Sequence, residues 1–185
     1  MKEKFKNYVK ENISRPGIKE LMDWLETTDF YTAPASTMYH NSFEGGLVEH
    51  SINVFECLSK LGNISGFNKE SVAIVSLFHD LCKVNTTIVS TRNVKNEITG
   101  KWEKQPFYKI ENKFPYGHGE KSVYLILKHM NLTDEEAMAI NWHMGGFDER
   151  SSGYDLSTAF NMNRLAVELH IADLRATFEI ENKKN

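Results

Sequence analysis

Apolar residues recur at helical spacing along most of the chain, which predicts a largely helical protein. Six segments show this spacing: 15–28, 47–62, 69–83, 119–130, 132–144 and 158–180. The segment 69–83 is apolar on nearly every side, as is typical of a helix at the centre of a domain. We expect Gly62 to end the helix before it. A capping box from Thr133 to Glu136 should begin the fifth helix.

One segment breaks the helical pattern. Residues 86–114 are rich in threonine, valine, isoleucine and aromatic side chains, and they contain the turn-forming sequence NEITGK. This composition predicts a β-hairpin inserted between two helices. Residues 29–46 are rich in turn-forming residues and predict a loop. Because no linker divides the chain, we expect a single domain over residues 1–185.

Composition and charge narrow the class of protein. The net charge is −3 and no basic run stands out, whereas a protein that binds duplex DNA normally carries a basic face. The N-terminus is charged without an apolar stretch, and no apolar run approaches the ~20 residues of a membrane span. We therefore expect a cytoplasmic protein with neither duplex DNA nor a membrane as partner. Cys57 and Cys82 should be buried free thiols.

Residues that can bind metal recur on the apolar faces of the predicted helices. His50, His79, His143 and Asp173 each lie on the apolar stripe of a different helix, and His118 follows the hairpin. Any one of them alone is more often an ordinary core residue. Burying charge without compensation is costly, however, so such groups on four helices indicate a bound cation. Imidazole and carboxylate ligands suit manganese, iron, cobalt, nickel or zinc.

The order of these residues resembles the HD-domain superfamily of metal-dependent phosphohydrolases. FHDLCK, at residues 78–83, matches its HDxxK pattern, YHNSFEGGLVEHS resembles the loop before its first ligand, and HIAD matches the segment with its last aspartate. FPYGHGEKS and WHMGG resemble a bacterial and phage group of HD hydrolases. The resemblance covers about residues 30–178 and implies an all-α helical bundle with an inserted hairpin near residues 86–114. At Cys82 many relatives carry glycine, and we expect this side chain to serve packing.

The resemblance also implies two divalent transition metal ions that share one carboxylate. The implied ligands are His50, His79, Asp80 and Asp173 for the first ion, and Asp80, His118 and His143 for the second. Such a pair of ions clamps the attacking and leaving oxygens of a phosphoryl displacement. The implied activity is hydrolysis of a phosphoester.

Three residues are predicted to be catalytic: Asp80, Lys83 and His40. Lys83 lies one turn after the HD pair, where its charge could stabilise a phosphoryl group. Its alternative role is a salt bridge with Asp80 alone. His40 could donate a proton to a leaving oxygen or contact the phosphate, and its alternative is an ordinary surface histidine.

We expect an enzyme that cleaves a phosphoester of a nucleotide or a small phosphodiester by metal-activated water. Aromatic side chains in residues 86–116 could stack on a nucleobase, although most of them should pack the hairpin against the helices. The alternatives are a catalytically silent nucleotide-sensing HD module and a 3′–5′ exonuclease-like phosphodiesterase. The complete ligand set argues against the silent module. The absence of a separate nucleic-acid-binding domain favours a small substrate.

Overall fold

Helices make up most of the structure. The computed structural model describes residues 1–60 and 64–181. Its α-helices are α1 (Lys2–Asn12), α2 (Ile18–Leu25), α3 (Gly46–Lys60), α4 (Lys69–Phe78), α5 (His118–Leu127), α6 (Asp134–Asn141), α7 (Tyr154–Met162) and α8 (Arg164–Arg175). The remaining elements are strands β1 (Thr87–Lys95) and β2 (Trp102–Ile110), 3₁₀ turns at Leu81–Lys83 and Gly145–Phe147, and a π-helix at Ala176–Glu181. The predicted helical fold with one hairpin is confirmed.

The helix α4 lies at the centre of the bundle. Every residue from Ser71 to Phe78 is buried, and α1, α3, α6 and α8 all contact this helix. The α-helix ends at Phe78, so the HD pair lies in the tight turn that follows it. The predicted central helix is therefore confirmed, although it is shorter than its apolar pattern. The predicted helix end at Gly62 lies outside the described residues.

The N-terminal helix α1 has no counterpart among the predicted elements. Phe5 is completely buried, and its ring packs 5.0 Å from that of Phe30 and 5.8 Å from that of Phe78. Phe5 and Val9 are the buried residues of α1, so its apolar signal is weak in a charged segment.

None of the described helices is long and apolar enough to cross a membrane.

The hairpin is a two-stranded antiparallel ribbon. Its register pairs Thr87 with Ile110 at the base and Lys95 with Trp102 near the tip. Most of its side chains are exposed on both faces, so the ribbon extends into solvent.

The aromatic residues of this region were expected mainly to pack against the helices. That expectation is wrong for Trp102, Phe114 and Tyr116, which are 70%, 41% and 52% exposed. Phe107 and Tyr108 are half-buried, as expected.

The last predicted helix is divided into α7 and α8 at Asn163. The backbone of Asn163 is extended, with φ −127° and ψ 97°, and its side chain accepts hydrogen bonds from the amides of Leu165 and Ala166. Asparagine is favoured at this position because its side chain satisfies amides that a helix start leaves free. The predicted polar tail begins at Glu181, but Glu181 is buried. The carboxylate of Glu181 contacts the ring of His50.

Candidate metal centre

Residues distant in the sequence meet beside the end of α4. The predicted ligands are His50 on α3, His79 and Asp80 after α4, His118 at the start of α5, His143 in the turn after α6, and Asp173 on α8. The predicted helix 132–144 ends at Asn141, so His143 is held by a turn rather than by a helix. All six side chains belong to one connected cluster.

The carboxylate of Asp80 divides this cluster into two groups. Its Oδ2 lies 3.6 Å from Nε2 of His50 and 3.6 Å from Nε2 of His79. Its Oδ1 lies 2.9 Å from Nε2 of His118 and 3.6 Å from Nε2 of His143. Ligands at about 2.0–2.2 Å from a common ion are separated by roughly 3–3.5 Å. Each oxygen of Asp80 therefore has the surroundings needed to face a separate cation.

Backbone carbonyls orient two of the histidines. His79 donates a hydrogen bond from Nδ1 to the carbonyl of Ser76 at 2.8 Å, and His143 donates from Nδ1 to the carbonyl of Ile140 at 2.7 Å. A proton on Nδ1 leaves the lone pair on Nε2, the nitrogen nearer to Asp80. Histidines that bind metals are held in the same way.

A carboxylate that the sequence analysis missed orients His50. The Nδ1 of His50 lies 3.0 Å from Oε1 of Glu181, and Asn53 donates to the same oxygen at 2.9 Å. The Nε2 of His50 lies 3.1 Å from Oδ1 of Asp173. Glu181 occurs in a polar stretch without an apolar stripe, so the sequence carries no signal for its burial. The π-helix after α8 brings its side chain back to α3.

Gly119 allows His118 and His143, the two histidines beside Oδ1 of Asp80, to approach each other. A Cβ atom on Gly119 would lie 2.1 Å from the carbonyl oxygen of Asn141, so a larger residue would push α5 away from the end of α6. The close approach brings the ring centroids of His118 and His143 to 5.1 Å. The glycine after His118 in the GHGEK motif is therefore a packing requirement of the site.

Burial and neighbouring charges shift the pKa values of the cluster in different directions. Burial lowers the pKa of His50, but hydrogen bonds with Asp173 and Glu181 outweigh burial and raise it to about 10. At His79 burial dominates and lowers the pKa to about 3. Burial raises the pKa of the Asp80 carboxyl, but neighbouring positive charge holds it well below its usual range. A proton on His50 thus compensates the neighbouring carboxylates, and metal binding displaces such a proton.

Lys83 lies at the edge of the cluster. Its Nζ is 2.6 Å from Oδ2 of Asp80, and its side chain is 24% exposed. The salt bridge considered as the alternative role is therefore present. The side chain of Lys83 is nevertheless not completely buried.

His40 lies beside His50, with 5.0 Å between the ring centroids. Its Nε2 is buried and has no hydrogen-bond partner among the described residues. Burial lowers the pKa of His40 to about 4, so the ring is neutral at pH 7. An ordinary surface histidine would have neither a buried Nε2 without a partner nor a pKa lowered by burial.

The side chains of the cluster are buried to different degrees. The four most buried side chains are those of His50, His79, Asp80 and His143. The side chains of Asp173, Lys83 and His118 are partly exposed, by 16–32%. The solvent exposure of the predicted ligands and of Lys83 is therefore concentrated at these three residues.

The surroundings of His143 indicate whether a cation fits the site. Its Nε2 is buried and has no hydrogen-bond partner in the part of the chain that the structure describes. An unsatisfied buried polar atom costs about 1–3 kcal/mol, and a metal ion at this nitrogen would remove that cost. The imidazole and carboxylate donors also suit a first-row divalent transition metal. The residues present therefore fit the metals that the sequence predicts.

Comparison with known proteins identifies the family. No curated protein and no solved structure matches the chain. A family model described as "HD domain" matches residues 47–176, which is more than half of the chain. The match begins at the start of α3 and ends just after α8, so it contains every element that contributes a predicted metal ligand. Proteins with this domain typically are hydrolases that depend on a divalent metal. The chain therefore belongs to the HD-domain family, within the superfamily of metal-dependent phosphohydrolases.

Proposed function

We propose that this protein hydrolyses a phosphoester of a nucleotide or a small phosphodiester. The arrangement around Asp80 carries the proposal, because its two oxygens face two separate groups of imidazoles. Bound divalent ions at these positions would supply activated water and Lewis-acid stabilisation of the phosphoryl group. The first ion would be held by His50, His79, Asp80 and Asp173, and the second by Asp80, His118 and His143.

The protein's own side chains would position and polarise the substrate. The side chain of Lys83 is partly exposed, and its ammonium can donate a hydrogen bond to a non-bridging phosphoryl oxygen while it remains paired with Asp80. His40 can hydrogen-bond a phosphate through the Nε2 that has no partner among the described residues. Fixed donors of this kind act most strongly where negative charge develops in the transition state.

An aromatic surface next to His118 supports a nucleotide substrate. The rings of Phe114 and Tyr116 are stacked, with centroids 5.5 Å apart and an interplanar angle of 8°, and Tyr124 packs against both. All three are more than a third exposed. Tyr116 and Tyr124 also line a groove of about 430 Å³ along α5 and α6. Exposed aromatic faces of this kind bind bases by stacking, with little dependence on the identity of the base.

The test is a substrate screen with an isosteric variant. Wild-type protein loaded with manganese, iron, cobalt, nickel or zinc is assayed against nucleoside mono-, di- and triphosphates and dinucleotides. We expect Asp80→Asn to abolish turnover with its helical circular dichroism unchanged, because the amide removes the shared charge. Asp155→Asn, at an exposed position of α7, is the matched control and should retain full activity.

Two outcomes would contradict the proposal. Turnover by Asp80→Asn with the same metal would remove Asp80 from the chemistry. A wild-type protein that binds nucleotides with each metal but hydrolyses none of these substrates would support the nucleotide-sensing alternative instead.

A further inference from the structure

The hairpin is basic, although the chain as a whole has a net charge of −3. Residues 86–114 contain six lysine and arginine residues against three glutamates. Lys113 pairs with Glu111 at 3.1 Å. The other five cations are exposed and form no ion pair among the described residues: Arg92, Lys95, Lys101, Lys104 and Lys109. The ribbon therefore presents positive charge that the protein itself does not neutralise.

One face of the ribbon carries cations and no carboxylate. Residues directly opposite each other in an antiparallel pair share a face, as do residues two apart on one strand. Lys95 lies opposite Trp102, and Lys104 follows Trp102 by two positions, so these three share a face. Glu103 lies on the opposite face, and the other two glutamates of the hairpin lie outside its strands. No acidic residue of the described strands is therefore found on the face of Trp102.

The same face exposes large apolar side chains. Trp102 is 70% exposed between the two lysines, and Val89 and Ile110 are 67% and 64% exposed. By the register, both of these residues lie on the face of Trp102. Lysines alone would be explained by solubility, because they prevent strand edges from pairing with other chains. An exposed indole has the opposite effect, and exposed apolar groups among polar ones mark interaction sites.

We propose that this face of the hairpin binds single-stranded nucleic acid. Unpaired bases stack on exposed aromatic rings, and lysines beside the ring neutralise the phosphates. A nucleic acid strand complements both the charge of Lys95 and Lys104 and the ring of Trp102. An apolar peptide would leave the lysines without a counter-charge, and a duplex offers no free base faces along its length. The proposal concerns binding and goes beyond the proposed hydrolysis.

Binding of labelled oligothymidylate and oligouridylate to the full-length protein tests the proposal by fluorescence anisotropy. The titrations contain a chelator and are repeated at several salt concentrations. We expect affinity to fall as salt rises, because bound lysines release counterions. Trp102→Ala should weaken binding about tenfold, within the range for the loss of one stacked base.

A matched pair of lysines separates a specific face from general attraction. Lys104 and Lys109 are both exposed on β2, but they lie on opposite faces of the ribbon. Lys104→Glu should weaken binding about tenfold, whereas Lys109→Glu, with the same change of charge, should weaken it less than about threefold. Equal losses in the two variants would overturn the proposed face.

Two further results would contradict the proposal. One is a wild-type protein that binds neither oligonucleotide at low salt. The other is a wild-type dimer in sedimentation velocity that Trp102→Ala dissociates, without oligonucleotide binding, which would assign the face to a second copy of the chain. Because the binding assays need neither metal nor turnover, a protein that binds oligonucleotides but hydrolyses no nucleotide would refute the proposed activity alone.

Discussion

At the scale of a single residue, Lys83 forms a salt bridge with Asp80, and we propose a second role for it in binding the phosphoryl group. Its Nζ lies 2.6 Å from Oδ2 of Asp80 and neutralises part of that charge, and the side chain is 24% exposed. Burial lowers the pKa of Lys83, but the charge of Asp80 and its hydrogen bond outweigh burial and raise it. The side chain is therefore charged at neutral pH, whichever role dominates.

Lys83→Ala should separate these roles. We expect turnover to fall about 10²-fold, as is typical when one donor to a developing anion is removed, while the metal content per chain stays the same. Elemental analysis and kcat, measured on the same preparation, check this. Lys83→Arg, which keeps a positive charge, should retain more activity than the alanine variant. Loss of metal and thermal stability with unchanged turnover per bound metal would leave only the structural salt bridge.

At the scale of elements, the break between α7 and α8 determines where Asp173 lies. Asn163 caps α8 through the amides of Leu165 and Ala166, and its side-chain amide donates to the carbonyl of Glu135 at 2.7 Å. One residue thus begins α8 and attaches it to the start of α6. Asp173 is carried by α8, so the cap contributes to the site without touching it.

Asn163→Ala should lower the free energy of unfolding by about 1–2 kcal/mol, the range found for lost helix caps. Chemical denaturation checks this value. The control is Asn161→Ala, at an exposed position of α7, which should change stability by no more than about 0.5 kcal/mol. An equal effect of both substitutions would show that the cap is not what stabilises α8.

At the scale of the whole molecule, Arg15 connects three parts of the bundle. It lies between α1 and α2, forms a two-pronged ion pair with Glu136 at the start of α6, and contacts Glu70 at the start of α4 at 3.3 Å. Glu136 is completely buried. Burial raises its pKa, but hydrogen bonds, first that from Arg15, outweigh burial and lower it.

The sign of the pH dependence follows from this lowered pKa. The stabilisation by Glu136 is fully present above the ordinary glutamate pKa of about 4.3 and is lost as the pH falls through the lowered folded-state pKa. Glu136→Gln should therefore have a lower melting temperature than wild type at pH 7, and the difference should shrink below about pH 4. Melting curves recorded with a chelator, so that metal loss does not contribute, check this. Glu135→Gln, at an exposed neighbouring position, should follow wild type, and a pH-independent difference for Glu136→Gln would contradict the argument.

Local rules determined most of the elements. The apolar segment before His79 is the buried central helix, NEITGK is the turn of the hairpin, and both reciprocal hydrogen bonds of the Thr133–Glu136 capping box are present. Each of these features depends on residues a few positions apart, which is why periodicity and turn chemistry reveal them. The family also followed from the order of short motifs along the chain.

Only the tertiary structure decided which side chains support the site. The burial of Glu181 against His50 depends on a contact between elements distant in the sequence. Spacing along one helix determines which residues share a face, but it contains no distance to another helix. Those distances are set by close packing, as at Gly119, where a single extra carbon would separate α5 from α6.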